Sequence, residues 1–204
     1  YNLQVSGGTE KTKYIISGLY SKEEGIIKKS DQERKSFRVG IETKLTDYMK
    51  LNINSIYTNS LRGKVVEGEY NIFQYALNTP PNQTLQPTEA FNWNGNELVS
   101  VRNALSWNPY TRLWYADLNE NANQFINNLE LTINLGKSLI LTTRAGIDKY
   151  YNENTDFSKR HTPAIYQYYD GIKYDDDTYQ EEHVNKTKWQ VETILSFSKT
   201  IGEH

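Results

Sequence analysis

The sequence predicts an all-β fold: about seven strands of an antiparallel, up-and-down transmembrane β-barrel, with long extracellular loops and one short helix. Three observations predict it. Runs of ~10 residues alternate between apolar and polar side chains, the periodicity of a strand. The 204 residues are 37% hydrophobic with a mean hydropathy of -0.76, yet 13% are aromatic, including 16 Tyr and 4 Trp. That is too polar for a thick soluble core, and it suits a wet lumen, polar loops and aromatic girdles. Finally, short turns alternate with long connections, as in barrels trimmed at the periplasmic end and elaborated at the extracellular end.

The clearest element is the hairpin from Phe125 to Tyr151. On its first arm Phe125, Leu129, Leu131, Ile133 and Leu135 share one side, and Asn128, Glu130, Thr132 and Asn134 share the other. On its second arm Leu139, Leu141, Thr143, Ala145 and Ile147 oppose Thr142, Arg144 and Asp148. The turn is Gly136-Lys137-Ser138. A three-residue loop sets Leu135 opposite Leu139 and brings the two apolar faces together; a two-residue loop would set them against each other. In that register Glu130 lies across from Arg144, a favourable opposite-charge pair.

Taken in order, the expected strands are about 1–8, 13–21, 34–46, 50–60, 124–135, 139–152 and 187–199. The first alternates Tyr1, Leu3 and Val5 against Asn2, Gln4 and Ser6, and Gly7-Gly8-Thr9-Glu10-Lys11 reads as a turn. Lys13 to Ser21 is a strand whose faces the pattern leaves open, and Lys22 to Glu33 reads as a charged loop. Phe37, Val39, Ile41, Thr43 and Leu45 form an apolar stripe, with Arg38, Glu42 and Lys44 behind it. After a turn at Thr46 to Lys50, Leu51, Ile53, Ser55 and Tyr57 run back against Asn52 and Asn54. The last strand carries Trp189, Val191, Thr193, Leu195 and Phe197 on its apolar face. Two long loops are expected, about 61–123 and 153–185. Within the first, Tyr70 to Asn78 has helical spacing, with Ile72, Phe73, Ala76 and Leu77 on one side and Pro80-Pro81 as the stop.

Composition also excludes. No apolar run approaches the ~18 residues of a membrane helix, so a membrane location would be by strands. The formal net charge of -2 carries no nucleic-acid footprint, and the absence of cysteine excludes disulfides and thiol chemistry. The chain opens on Tyr1 within an apparent strand, without a signal peptide, and reads as an internal piece of a longer protein.

Several stretches resemble the SusC/RagA-type TonB-dependent transporters of the Bacteroidetes outer membrane. The segment Tyr1 to Ser60 is similar to the first barrel strands of that family, above all Val5-Ser6-Gly7-Gly8-Thr9-Glu10-Lys11-Thr12-Lys13-Tyr14 and then Glu24-Gly25-Ile26-Ile27. Ala76 to Pro81 resembles the family's helix-then-proline loop element. Asn108-Pro109-Tyr110 with Asn119 to Leu129 resembles the run that leads into the next strand. The similarity is weakest over Asn82 to Trp107 and Ser158 to Glu182. The resemblance implies a barrel of about 22 strands with a plugged lumen. It implies import of glycans or oligopeptides, a SusD-like surface lipoprotein as lid, and a TonB complex as energy source. The plug and TonB box are absent from this stretch, and seven strands cannot close such a barrel, so the isolated piece would expose two edges.

The candidate site residues fall into two groups. Trp93, Trp107, Tyr110, Trp114 and Tyr115 in the first long loop offer flat faces for sugar rings or for a lid protein, or else they pack the loop onto itself and the barrel rim. Arg38, Glu42, Glu130, Arg144, Asp148 and Glu192 are expected to face the lumen, against plug or cargo, or in an electrostatic ladder between strands. Asp175-Asp176-Asp177 with Glu181-Glu182 lacks the spacing and turn glycine of a calcium loop and reads as a solvated acidic loop. His161, His183 and His204 show no zinc spacing, so no metal or other cofactor is expected. No nucleophile elbow or phosphate loop appears, so no enzymatic activity is expected. The other reading of the same pattern is a soluble β-sheet carbohydrate-binding module. The two part on one point: whether the apolar face meets lipid or a protein interior.

Overall fold

The computed structural model describes residues 1–65, 72–78, 91–94, 97–100, 113, 116–158 and 178–199. In chain order the elements are β1 (Asn2–Gly8), β2 (Thr12–Glu24), β3 (Asp31–Thr46), β4 (Met49–Lys64), α1 (Ile72–Asn78), β5 (Phe91–Asn94), β6 (Glu97–Ser100), β7 (Ala116–Asn134), β8 (Leu139–Ser158) and β9 (Thr178–Phe197). Seven of the strands form one antiparallel sheet in the order β1-β2-β3-β4-β7-β8-β9. Each strand therefore pairs with its predecessor in the sheet, the up-and-down order of a barrel wall. β5 and β6 pair as a hairpin within the long loop, an element the sequence pattern did not announce.

Register follows the side-chain pattern. The Leu135 amide donates to the Leu139 carbonyl at 2.9 Å, and Glu130 pairs with Arg144, as the three-residue turn requires. Direct partners share a face, so apolar side chains from successive strands collect in rows on one side of the sheet. One row reads Tyr14, Ile41, Ile53, Leu129, Ala145, Val191, and the next reads Val5, Ile16, Val39, Ser55, Asn127, Ile147, Trp189. The faces of β2 are settled by its partners: Tyr14, Ile16 and Tyr20 share the apolar side, while Lys13, Ile15 and Ser17 share the polar side. Ile15 on the polar side lies against Gly40, where an added Cβ would come within 2.7 Å of its Cγ2.

The apolar side forms a band. Along β7 and the residue after it, the band runs from Phe125 to Leu135, about 34 Å, or roughly 25 Å of height at the usual barrel tilt. Two polar residues inside it, Ser55 and Asn127, hydrogen-bond to each other at 2.5 Å, which satisfies them away from water. Aromatic side chains rim its upper edge: Phe37, Tyr57 and Phe125 lie in one row. Tyr1 stacks on Tyr20 with centroids 6.3 Å apart one row further out. Leu3 is 73% exposed, Trp189 75% and Leu195 61%. No second β-layer covers this face among the described residues, whereas a soluble module of this kind needs one.

The strands do not stop where alternation stops. β7, β8 and β9 run 19, 20 and 20 residues, about twice what a tilted strand needs to cross a bilayer. The stretches 116–123, 153–158 and 178–185, expected as loop, are strand, and β2 and β3 continue through half of the expected charged loop, leaving residues 25–30. That short connection folds back over the sheet. Lys29, at φ 68, lends its carbonyl to a site where a Cβ on Gly63 would come within 2.4 Å. The Lys29 amine reaches past β4 to the Ala116 carbonyl at 3.2 Å and to the Asp117 carboxylate. α1 ends two residues before Pro80, as that proline dictates. Of its expected apolar side, Ile72 is buried, while Phe73 and Leu77 are exposed.

Candidate functional site

All six charged residues singled out above lie on the polar face. Glu42, Asn52, Glu130, Arg144 and Glu192 occupy one row across β3, β4, β7, β8 and β9. Arg144 is held from both sides, its Nε donating to Glu130 at 2.6 Å and its Nη1 lying 3.7 Å from Glu192. Glu42 pairs with Lys50 at 3.1 Å. One row set further along, Arg38 donates to the Asn54 side-chain oxygen at 3.1 Å, and Asp148 accepts from Gln124 at 3.0 Å. Lys13, Arg38, Glu42, Asn52 and Asn54 ring a shallow hollow whose floor is Gly40. These are solvated charges in cross-strand pairs, a surface suited to hold water and polar ligands rather than to carry out bond chemistry.

Beyond the apolar band the polar face carries a denser network that the sequence pattern did not disclose. Lys64 bridges Glu120 at 2.5 Å and donates to Asn154 at 3.2 Å. Asn154 in turn donates to Glu182 at 3.0 Å and accepts from Asn152 at 3.3 Å. Asn152 is only 7% exposed, and its side-chain oxygen has no hydrogen-bond partner. No linear spacing links these residues, which come from β4, β7, β8 and β9 and meet only through strand register.

The aromatic group cannot be placed in the same way. Trp93 lies in β5, where its backbone pairs with Leu98. Trp107, Tyr110, Trp114 and Tyr115 lie outside the described residues, as do Asp175 to Asp177 and His161. His183, without ligand spacing in the sequence, is brought opposite Glu153 and beside Glu181 on the other side of the sheet.

A one-layer, two-faced sheet with an apolar band, an aromatic rim and strands joined in sequence defines a class: this is a segment of an outer-membrane β-barrel wall. No protein-family model matches the chain. It is 25% identical over 210 residues to TonB-dependent receptor P26 of Formosa agariphila, covering 100% of this chain and 20% of that protein. In fold it matches the RagAB peptide importer, with a TM-score of 0.72 and 17% identity in the closed-closed state. In the open-open state the values are 0.74 and 16%. Both matches cover 99% of this chain and 22% of the other. The chain is thus similar in sequence to a TonB-dependent receptor and in fold to part of the RagAB barrel, in line with the SusC/RagA-type resemblance of its first sixty residues, and it spans about a fifth of the length of the relatives it matches.

Proposed function

We propose that this sheet is part of the barrel wall of an outer-membrane importer of peptides or glycans. In this reading the importer works with a SusD-like surface lipoprotein and is driven by a TonB complex through a plug region outside this stretch. The carrying observation is the uncovered apolar band backed by a continuous polar face. In a barrel, the first meets lipid and the second lines the bore. Arg38, Glu42, Glu130, Arg144, Asp148 and Glu192 then form the wall of the cargo and plug compartment. Trp93, Trp107, Tyr110, Trp114 and Tyr115 belong to the extracellular loop that meets the lid lipoprotein or the cargo. The name of the RagAB peptide importer supports import as the activity and favours peptide as cargo. The similar proteins are a receptor and an importer, which accords with a protein that performs no bond chemistry.

The test is spin labelling of the intact receptor. These 204 residues hold no cysteine, so each introduced label is unique within the stretch. Labels at Leu131, Leu141 and Leu195 should collide with oxygen dissolved in lipid, and labels at Glu130, Arg144 and Glu192 with a water-soluble nickel chelate. Equal, low accessibility of the first set to both reagents would mean a protein interior and end the proposal. For cargo, mass spectrometry of the receptor purified with its lipoprotein should find bound oligopeptides; bound oligosaccharide in their place would reassign the cargo to glycan.

A further inference from the structure

Beyond the apolar band, on the same side of the sheet as the band, β8 and β9 bring together three metal-ligating side chains. Glu153 pairs directly with His183 across the two strands, and Glu181, two residues from His183, projects from the same side. One donor atom from each residue lies within 4.8 Å of the others, and His183 Nε2 is 2.8 Å from Glu181 Oε1. We propose that these three residues form a site for a divalent transition cation of the zinc class on the outer wall of the barrel, stapling β8 to β9 beyond the membrane.

The geometry needs little change. Zinc bonds to nitrogen and oxygen of about 2.0–2.2 Å place tetrahedral donors roughly 3.4 Å apart. Glu181 and His183 already stand closer than that, and the flexible Glu153 side chain supplies the remaining approach. Two carboxylates and one imidazole leave a fourth position open to water.

The surroundings favour a cation in two further ways. The Tyr151 hydroxyl lies 2.8 Å from His183 Nδ1, with the two rings stacked 5.9 Å apart. Without metal, Nε2–H donates to Glu181 Oε1 and Nδ1 accepts from the phenol; a bound cation takes the place of the Nε2 proton, and Nδ1–H then donates to the phenol oxygen, which holds the ring in place. Second, among the described residues these strand ends carry acidic side chains and no basic one besides His183. In residues 151–158 and 178–185 there is no lysine or arginine, and Lys186 sits on the opposite face, 6.0 Å from the centre of the Tyr150 ring. With His183 neutral, Glu153 and Glu181 place two negative charges in one cluster. Tyr179 donates to the second oxygen of Glu181 at 3.2 Å, leaving Oε1 turned toward His183.

The experiment is zinc titration by calorimetry of the intact receptor in detergent at pH 7, with Cu2+ electron paramagnetic resonance as a second readout. The expected result is a zinc site that His183→Ala and Glu153→Gln each weaken at least tenfold, and that Tyr151→Phe weakens by about 10-fold through the ring's orientation. The copper spectrum should show coupling to one imidazole nitrogen that His183→Ala removes. Heat-modifiable migration on a gel checks that each variant remains a folded barrel, and Glu153→Gln, nearly isosteric, stands in if the histidine variant does not fold. Zinc binding equal in the wild type and in Glu153→Gln, or a copper spectrum without imidazole coupling, overturns the assignment.

Discussion

Arginine at Leu129 should weaken this wall, while arginine at the adjacent Asn128 should leave it standing. Leu129 sits midway down the band on β7, with Phe125 and Asn127 on one side of it and Leu131 and Ile133 on the other, and its row partners are Ile53 and Ala145. If the band lies in lipid, Leu129 is near the midplane, where a lipid-facing arginine in a barrel costs about 2–4 kcal/mol. At 1.4 kcal/mol per tenfold, that lowers the folded-to-unfolded ratio by roughly 30- to 1,000-fold. Asn128 points the other way, to the face that carries Glu130 and Arg144, where a guanidinium stays hydrated. Phe125 marks the band's edge, and arginine there should cost about 0–1 kcal/mol. The assay is the fraction of intact receptor that migrates as folded barrel without boiling, followed along a guanidinium series. The expected order of loss is Leu129→Arg well above Phe125→Arg, with Asn128→Arg close to wild type. Equal losses at Leu129 and Asn128 would refute the reasoning, because they would place both faces in the same medium.

Other perturbations have their own expected outcomes. Ser55→Ala leaves the Asn127 amide without its 2.5 Å partner inside the band, at a cost of about 1–3 kcal/mol; the double variant Ser55→Ala with Asn127→Leu should recover most of it, and a simple sum of the two single effects would argue against a lipid-facing pair. Arg144→Ala removes a solvated cross-strand contact, so the melting temperature should hold, whereas a large drop would mean that the polar face is dry. Gly63→Ala forces the Lys29 carbonyl away from β4; faster proteolysis of the 25–30 turn is expected, and unchanged cleavage would show that the turn does not depend on that contact. The 204-residue piece alone should self-associate through its β1 and β9 edges, and a detergent-free monomer with a cooperative melt would count against the barrel reading.

What the sequence determined by itself is the part of the sheet that lies in the band. There, one side chain in two meets hydrocarbon, so the alternation of Leu129, Leu131 and Ile133 with Asn128, Glu130 and Thr132 is obligatory and can be read without coordinates. The hairpin register, the Glu130–Arg144 pair and the short-turn, long-loop order follow from it. Past Tyr57 on β4 and Phe125 on β7 both sides of each strand meet water. Asn119, Glu120 and Asn121 therefore alternate nothing, and the strand hides as loop. How far β7 to β9 continue emerges from the paired sheet, and strand pairing alone carried Lys64 to Glu120 and Asn154, and Glu153 to His183. Partners of that kind are separated by a loop and a turn of chain. Register alone makes them neighbours, and register is a property of paired strands rather than of any one segment.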